Sequence, residues 1–419
     1  MEASRRDVFG LPGYLTFWTA ETVSEFGTYV TTLALQVLVV ITLSGTATDV
    51  GLVNASRWLP YLLFGLILGA LVDRRRRKPV MVTTDLGRAL LLGAIPALWA
   101  VGWLSLPVLM VFMALFGVLT LLNDAASQSF LPRLVPKASL LAANARLDQG
   151  GAVAQTSGPV LAGALVTALS APVAVLVDAA TYLFSALAVS RIKVSEPPPS
   201  DEAQPRNLGR EIREGLAWVY RHRMLAPLAI STHGWFLFNS MLVTVFVPFV
   251  LLELNLTPFE LGMVMASAGV TGLLGAMVST RIGTLWGAGW AIIACRALMP
   301  VAWAVIACAP LAGTHGGVIA LLALGQALYG LGMGAQNANE MGYRQAVTPD
   351  ALQGRMNTTM RSINRAMIVV GAPLGGVLAD SIGYRPTLWI AVAGFVLATG
   401  YLAASPARQA RHGDGFTSA

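Results

Sequence analysis

The sequence predicts an all-α membrane protein with 12 transmembrane helices in two pseudo-symmetric six-helix bundles. Of its 419 residues, 55% are hydrophobic and only 12% are charged, and the mean hydropathy is +0.66. A soluble domain needs about twice that charged fraction to cover its surface. Apolar runs of about 20 residues, each long enough to cross a bilayer, recur along the chain. Residue spacings in the first half are also repeated in the second.

Twelve apolar runs define the predicted spans. Those in the first half are Phe17–Thr42, Val50–Val72, Val80–Trp103, Pro107–Asn123, Gly151–Ser170 and Ala171–Val189. Those in the second half are Leu225–Leu252, Leu261–Ile282, Gly287–Leu311, Gly316–Met341, Met360–Leu378 and Pro386–Ala404. Polar residues lower the hydropathy of the fifth and eleventh runs, so the limits of these two are the least defined.

Basic residues are concentrated in alternate connections. Five follow the second run, from Arg74 to Lys78. The connection between the sixth and seventh runs holds Arg191, Lys193, Arg206, Arg210, Arg213, Arg221 and Arg223. The connections around Ser44–Thr48, Gly102–Leu106 and Leu254–Thr257 contain no Lys or Arg. Because short loops rich in Lys and Arg stay in the cytoplasm, we predict a multi-pass protein of the cell membrane with both termini cytoplasmic.

The connection between the sixth and seventh runs divides the chain. A proline-rich segment at Pro197 cannot continue a helix and is typical of a linker. From Arg210 to Tyr220, apolar residues at helical spacing predict a short amphipathic helix on the membrane face. The predicted domains are an N-terminal bundle (1–192), a cytoplasmic linker with this helix (193–224), a C-terminal bundle (225–404) and a cytoplasmic tail (405–419).

The two halves share a spacing pattern. Asn144 and Asn357 lie 213 residues apart (357 − 144). The same interval separates Pro136 from Pro349, Gly158 from Gly371, Leu161 from Leu374, Gly163 from Gly376 and Leu165 from Leu378. A repeat of about half the chain length indicates two parallel six-helix bundles that enclose a central site.

A glycine, an acid and three basic residues form a spaced motif after the second run: Gly69, Asp73, Arg74, Arg77 and Lys78. Glycine lets the backbone approach a neighbouring helix, and the carboxylate can meet a helix N-terminus or a basic side chain. A membrane anchor would explain the basic residues but not the Gly–Asp spacing. We expect this loop to lock the cytoplasmic side between states, with Asp73 as its critical partner.

At this loop the chain resembles the major facilitator superfamily, whose signature has the same Gly, Asp, Arg and basic pattern. Other segments resemble the actinobacterial branch of its drug-efflux-type members, among them Trp18-x-x-Glu21, Arg57-Trp-Leu-Pro60, Gln128-Ser-Phe-Leu-Pro132 and Gly354-Arg-Met-Asn357. The resemblance extends from about Trp18 to Leu397. It implies the major facilitator fold and export of a small amphipathic drug or secondary metabolite by proton antiport.

Gly158, Pro159 and Gly163 resemble the antiporter motif of proton-coupled exporters, although Ala154 and Ala162 replace two of its glycines. Glycine and proline at this spacing loosen and kink a helix while its packing face stays narrow. Ordinary tight helix packing explains the same residues equally well. The arginine motif that many proton antiporters carry in the fourth span is missing here.

Acidic residues in the first run are candidates for proton coupling. Glu21 and Glu25 are four residues apart and therefore share a helix face. Two carboxylates this close repel each other, so one is expected to hold a proton. The alternative is that they pair with a membrane arginine or lie at the water boundary. Arg57 has no local partner and is a candidate to pair with either one, whereas Asp85 and Arg88 can neutralise each other.

The seventh run contains aromatic, polar and Met residues that suit an adaptable apolar pocket: His233, Trp235, Phe238, Asn239 and Met241. Helix packing or contact with lipid is the alternative for these side chains. His233 alone does not make a metal site, and we predict no metal ion.

Two sequence motifs of membrane enzymes and pumps are absent from the chain. There is no phosphate-binding glycine loop and no His-Glu-x-x-His sequence, so an ATP-driven pump and the commonest membrane metalloprotease are disfavoured. Cys295 and Cys308 have the character of buried thiols. We therefore predict a monomeric transporter that is not an enzyme, binds no cofactor and binds no nucleic acid. An importer or uniporter, or a non-transporting membrane sensor, remains an alternative.

Overall fold

A computed structural model of the chain describes residues 8–73, 75–194 and 208–411, apart from the side chains of residues 66–73 and of Leu208. These residues form 12 α-helices joined by short turns and 3₁₀ segments, and within them there is no β-strand. The predicted all-α class is confirmed.

Six helices precede the central connection. They are α1 (Tyr14–Val37), α2 (Ala47–Asp73), α3 (Arg77–Ala100), α4 (Leu106–Leu134), α5 (Leu140–Leu169) and α6 (Ala171–Arg191). The shortest has 21 residues and the longest has 30. At about 1.5 Å per residue, even the shortest spans the hydrocarbon core of a bilayer, which is about 30 Å thick.

Six further helices follow. They are α7 (Leu208–Arg221), α8 (Leu225–Pro248), α9 (Pro258–Ala307), α10 (His315–Val347), α11 (Asp350–Ile382) and α12 (Tyr384–Ala404). The 50 residues of α9 are interrupted at Gly287, whose φ of 78° lies in the left-handed region that favours glycine. Because α9 is therefore two crossings and α7 is too short for one, the described helices supply 12 spans.

A rare local element repeats between the halves. α1 runs into a π-helical turn at Leu38–Thr42, and α8 runs into another at Phe249–Glu253. α1 and α8 begin 211 residues apart (225 − 14), and the two π-turns are separated by the same interval (249 − 38). Since π-helical turns are uncommon, their recurrence extends the repeat seen in the sequence to the first span of each half.

The helices group into two compact units. Unit 1 is Met1–Ser44 with Ser56–Pro205, and unit 2 is Gly45–Ala55 with Arg206–Ala419. In unit 1, α1 packs on α5 and α6, and α3 packs on α4 and α6. In unit 2, α8 packs on α11 and α12, and α9 packs on α10 and α12. The domain limits given above remain predictions.

Glycines at matching positions allow the close packing in each unit. A Cβ added to Gly158 of α5 would lie 2.7 Å from the Cβ of Tyr29 in α1. At the matching position in unit 2, a Cβ on Gly371 of α11 would overlap Ser240 Oγ in α8. The recurring glycines are therefore contact points between helices, as small residues are in other membrane bundles.

Within unit 2, Asp380 of α11 caps the beginning of α2. Its carboxylate accepts hydrogen bonds from Ala47 N at 3.0 Å and Thr48 N at 2.9 Å, and also from the Thr48 hydroxyl. The first N–H groups of a helix have no partner inside the helix, so an acceptor at this position stabilises the first turn.

Asp380→Ala is expected to lower the free energy of unfolding by about 1–2 kcal/mol, because two N–H groups and a hydroxyl lose their acceptor. Thermal unfolding of the purified protein measures the loss. Asp350→Ala is the matched control, since Asp350 is exposed at the start of the same helix and accepts from Gln353 at 3.2 Å. Equal melting temperatures for the two variants would contradict a capping role.

Candidate functional site

The two first-span glutamates lie in different surroundings. Ser127 of α4 donates its hydroxyl to Glu21 Oε1 at 3.0 Å, and Glu21 is partly buried. Glu25 is exposed and makes no hydrogen bond or ion pair with the described residues. The pair therefore consists of one anchored carboxylate and one unanchored carboxylate on the same helix face.

Arg57 does not form the predicted ion pair with either glutamate. Its Nη1 donates to Thr32 Oγ1 at 3.4 Å, and its guanidinium lies 5.3 Å from the ring centroid of Phe116. Such a cation–π contact partly offsets the cost of burying the charge. Arg57 still attracts Glu25 through space, so the two act on each other without a hydrogen bond.

Asp85 and Arg88 form the predicted local pair, which is confirmed. Arg88 donates to Asp85, as do the Ser185 hydroxyl at 2.7 Å and the Asn123 amide at 3.0 Å. The Arg88 guanidinium also lies 4.1 Å from the ring centroid of Tyr182. Several donors and a cation beside it thus offset part of the cost of burying this carboxylate.

The predicted gating loop is described only in part. Gly69 and Asp73 lie in the last turns of α2, where side chains are not described, and Arg74 lies outside the described residues. Arg77 Nη1 donates to the Arg75 carbonyl at 3.1 Å. Lys78 Nζ donates to the Ile192 carbonyl at 2.8 Å and so ties the start of α3 to the end of α6. The locking role of the loop remains a prediction.

The antiporter-like motif meets α1 at its first glycine. Gly158, Pro159 and Gly163 are all buried, and Gly158 contacts Tyr29. Tyr29 is one helical turn beyond Glu25, so the motif supports the helix that carries the candidate coupling residue. Both of its interpretations, a functional hinge and tight packing, are compatible with this position.

The candidate pocket residues of α8 have several partners inside unit 2. His233 lies between the Tyr220 hydroxyl at 2.8 Å and Asn364 Oδ1 at 2.7 Å. Asn239 accepts a hydrogen bond from the Tyr329 hydroxyl at 2.8 Å. The remaining three pack against neighbours: Trp235 stacks on Phe395, Phe238 contacts Gly394, and Met241 is buried against Gly375. The described residues contain no cluster able to hold a metal ion.

Sequence reasoning missed a buried charge cluster in unit 2. Arg296 of α9 is only 2% exposed, and its Nη2 donates to Glu340 of α10 at 2.9 Å. Arg344 donates to the same carboxylate at 3.2 Å, as do the Gln336 amide at 3.0 Å and the Thr232 hydroxyl at 3.1 Å. A lone arginine in the apolar stretch 288–307 was the available signal, because such a charge needs a partner at membrane depth.

The repeat relates this cluster to Glu21. Glu21 in α1 and Thr232 in α8 are 211 residues apart, the interval that separates the two helices. Ser127 and Glu340 are 213 apart, the interval at which α4 and α10 end. In each unit, therefore, a hydroxyl donates to a carboxylate between the first and fourth spans. In unit 1 the carboxylate is on the first span and the hydroxyl on the fourth, and in unit 2 the arrangement is reversed.

The numbers of acidic and basic groups around Glu21 and around Glu340 differ in opposite directions. In unit 2, two guanidinium groups face the single carboxylate of Glu340. In unit 1, five carboxylates accompany two guanidinium groups: Glu21, Glu25, Asp85, Asp124 and Asp178 against Arg57 and Arg88. Carboxylates in excess repel one another, which favours binding of protons, whereas a surplus of cations keeps a carboxylate ionised.

Comparison with known proteins identifies the class. The transmembrane secretion effector family matches residues 7–415. The chain belongs to this family of the major facilitator superfamily. It is a multi-pass membrane transporter of small molecules and not an enzyme.

Relatives of this facilitator include named efflux proteins. Macrolide efflux protein A of Streptococcus pyogenes is 23% identical over 393 residues, which cover 92% of this chain and 93% of that protein. The multidrug efflux pump Tap of Mycolicibacterium fortuitum is 27% identical over 364 residues, which cover 82% of this chain and 84% of the pump.

Solved structures confirm the major facilitator fold. The nucleoside transporter NupG matches with a TM-score of 0.74 and 12% identity, over 94% of this chain and 98% of NupG. A bacterial homologue of the iron transporter ferroportin matches with a TM-score of 0.71 and 16% identity, over 95% of this chain and 99% of that protein. At these identities the likeness concerns the fold alone.

Proposed function

We propose that this facilitator exports a small amphipathic organic compound, a drug or secondary metabolite, in exchange for protons by alternating access. The observation that carries the proposal is Glu25, an exposed carboxylate on α1 with no hydrogen bond or ion pair among the described residues. Such a carboxylate can take up a proton from one side of the membrane and release it to the other. The protein works as a monomer in the cell membrane, with both termini in the cytoplasm.

Two further observations support proton coupling and export. The surplus of carboxylates in unit 1 favours bound protons there, beside a first-span helix that Gly158 and Pro159 support. Among the relatives are a macrolide efflux protein and a multidrug efflux pump, which supports an amphipathic organic substrate. Asn239 of α8, which is only partly buried, is a polar group suited to contact such a compound.

Cells that express the wild-type protein are expected to retain less ethidium and less erythromycin than empty cells. The Glu21→Gln/Glu25→Gln variant should retain as much as empty cells, because without the two carboxylates no proton gradient can drive export. Uptake and retention assays with and without a protonophore measure this, and the protonophore should abolish the difference for wild type.

Glu253→Gln is the matched control for that assay, since Glu253 is exposed at the end of the π-turn after α8. It should behave as wild type. Export that persists in the double variant would remove the first-span carboxylates from the mechanism. Higher retention in wild-type cells than in empty cells would identify an importer instead.

A further inference from the structure

A second buried carboxyl group of unit 1 lies between α1 and α6. Asp178 of α6 is 0% exposed. A Cβ on Gly27 of α1 would overlap both Asp178 Oδ1 and Thr181 Oγ1, so α1 can approach at this level only because residue 27 is a glycine. The carboxyl group is therefore enclosed by the helix that carries the candidate coupling residues.

The carboxyl group of Asp178 has little to stabilise a negative charge. The Thr181 hydroxyl donates to Oδ1 at 3.0 Å, whereas Oδ2 has no hydrogen-bond partner among the described residues. The hydroxyl of Thr31 faces the carboxyl group from α1. The ion pairs found among these residues do not include Asp178.

The nearest cations are already engaged. Arg88 of α3 pairs with Asp85 and stacks on Tyr182, and Arg57 of α2 donates to Thr32. Both act on Asp178 only through space. An ionised carboxylate in an apolar interior costs several kcal/mol unless it is paired, and it takes up a proton instead. Asp85 and Asp178 thus differ in their contacts, since Asp85 has a paired cation and several donors, whereas Oδ2 of Asp178 has no donor among the described residues.

Hydroxyl groups lead from Asp178 towards the first-span carboxylates. Tyr182 follows Thr181 in α6, and its hydroxyl lies 3.2 Å from Thr28 Oγ1 in α1. Thr28 is three residues beyond Glu25 and therefore shares its helix face. A hydroxyl can accept a proton from one neighbour while it donates its own to the next, so this interface can pass protons without being charged at rest.

We propose that Asp178 is a second proton-binding group, which holds a proton at rest and exchanges it with Glu25 through the hydroxyls of the α1–α6 interface. The inference rests on the proton coupling proposed above. The O–H bond at Asp178 breaks as a facing hydroxyl, that of Thr31 or Thr181, accepts the proton and gives up its own. The hydroxyls of Tyr182 and Thr28 exchange protons in the same way, and an O–H bond forms at Glu25. Arg57 attracts both carboxylates. When Glu25 has taken up the proton and is neutral, the positive charge of Arg57 therefore stabilises the negative charge left on Asp178.

Infrared spectroscopy tests the resting state without any substrate. The difference spectrum of wild type minus Asp178→Asn should contain the C=O stretch of a protonated carboxyl group at neutral pH. Asp350→Asn is the matched control, because Asp350 is exposed and should contribute no such band. A missing band for Asp178 would overturn the proposal, whether or not the facilitator exports ethidium.

Exchange of the Asp178 proton with solvent tests the hydroxyl route. In D₂O the band of the wild-type protein should shift as deuterium replaces the proton, and Thr31→Val, which removes a facing hydroxyl but keeps the acid, should slow this shift. A band that never shifts would show a locked structural acid, and one that shifts equally fast in Thr31→Val would show exchange by another path. Either result would overturn the proposal. This variant also provides the test if Asp178→Asn does not fold.

The steady-state accumulation of ethidium measures how many protons are coupled to its transport. In proteoliposomes with the membrane potential clamped at zero, each coupled proton raises the ethidium accumulation ratio about tenfold per pH unit. Asp178→Asn should lower that ratio about tenfold for a gradient of one pH unit, while Glu25→Gln should abolish accumulation. An unchanged ratio in Asp178→Asn would overturn the second site and leave the proposed function intact. Accumulation that survives in Glu25→Gln would instead refute the proposed function.

Discussion

Arg296→Met is expected to destabilise this facilitator by about 3 kcal/mol. Arg296 is 2% exposed, and its guanidinium neutralises Glu340 and donates to the hydroxyls of Ser231 and Thr232. Methionine fills a similar volume but leaves a buried carboxylate with a weaker set of partners. Arg344 remains 3.2 Å from Glu340, which keeps the loss near the lower end of the range for broken buried pairs.

Thermal unfolding of purified protein, supported by the yield of folded protein from membranes, measures this effect. Arg361→Met is the matched control, since Arg361 is exposed on α11, and it should change the stability by less than about 0.5 kcal/mol. Arg296→Met combined with Glu340→Gln should be more stable than Arg296→Met alone, because the uncompensated charge is gone. Equal melting of wild type and Arg296→Met would refute the ion pair as a stabilising contact.

The cluster around Arg296 shows which part of the site could not be predicted from the sequence. Arg296 and Glu340 are 44 residues apart and meet only because α9 packs on α10. Averaging hydropathy over a span hides one arginine, and nothing in the sequence indicates that Glu340 faces it. By contrast, Asp85 and Arg88 are three residues apart on one helix, so helical geometry alone predicted their pairing.

The spans themselves were predictable because the bilayer fixes their length and apolar character. The ends of the helices were less predictable. α5 begins at Leu140, before the predicted start at Gly151, and α11 begins at Asp350, before the predicted start at Met360. In both helices the additional turns carry polar residues such as Asn144 and Asn357, and a helix continues past the hydrocarbon layer wherever its residues favour helix. Hydropathy detects the membrane-embedded part of a helix and not its whole length.

The repeat between the two halves includes a polar contact as well as glycines. It predicted two bundles, and the structure adds that the carboxylate–hydroxyl pair between the first and fourth spans is present in both with its groups exchanged. Two cations hold the carboxylate of Glu340, while Glu21 is held by the Ser127 hydroxyl. The same polar contact is therefore part of an ion cluster in unit 2, whereas in unit 1 it joins one carboxylate to one hydroxyl.

The two first-span carboxylates are expected to differ sharply when they are replaced singly. Glu25→Gln should abolish uphill export and still allow downhill exchange of ethidium across proteoliposomes, since Glu25 is the exposed, unanchored acid that binds and releases the proton. Glu21→Gln should slow export without abolishing it, because the amide oxygen can still accept from Ser127 Oγ. Parallel assays of gradient-driven accumulation and of equilibrium exchange separate the two outcomes.

Ser127→Ala provides the companion test for Glu21. It removes the hydrogen bond seen at 3.0 Å and leaves both carboxylates in place, so it should slow export without abolishing it, because Glu21 loses its anchor while Glu25 is unchanged. If Ser127→Ala is silent while Glu21→Gln abolishes uphill export, then the proton is carried by Glu21 and not by Glu25. If both single glutamate variants lose export and keep exchange, the two carboxylates share one proton, as two acids four residues apart on one helix face can do.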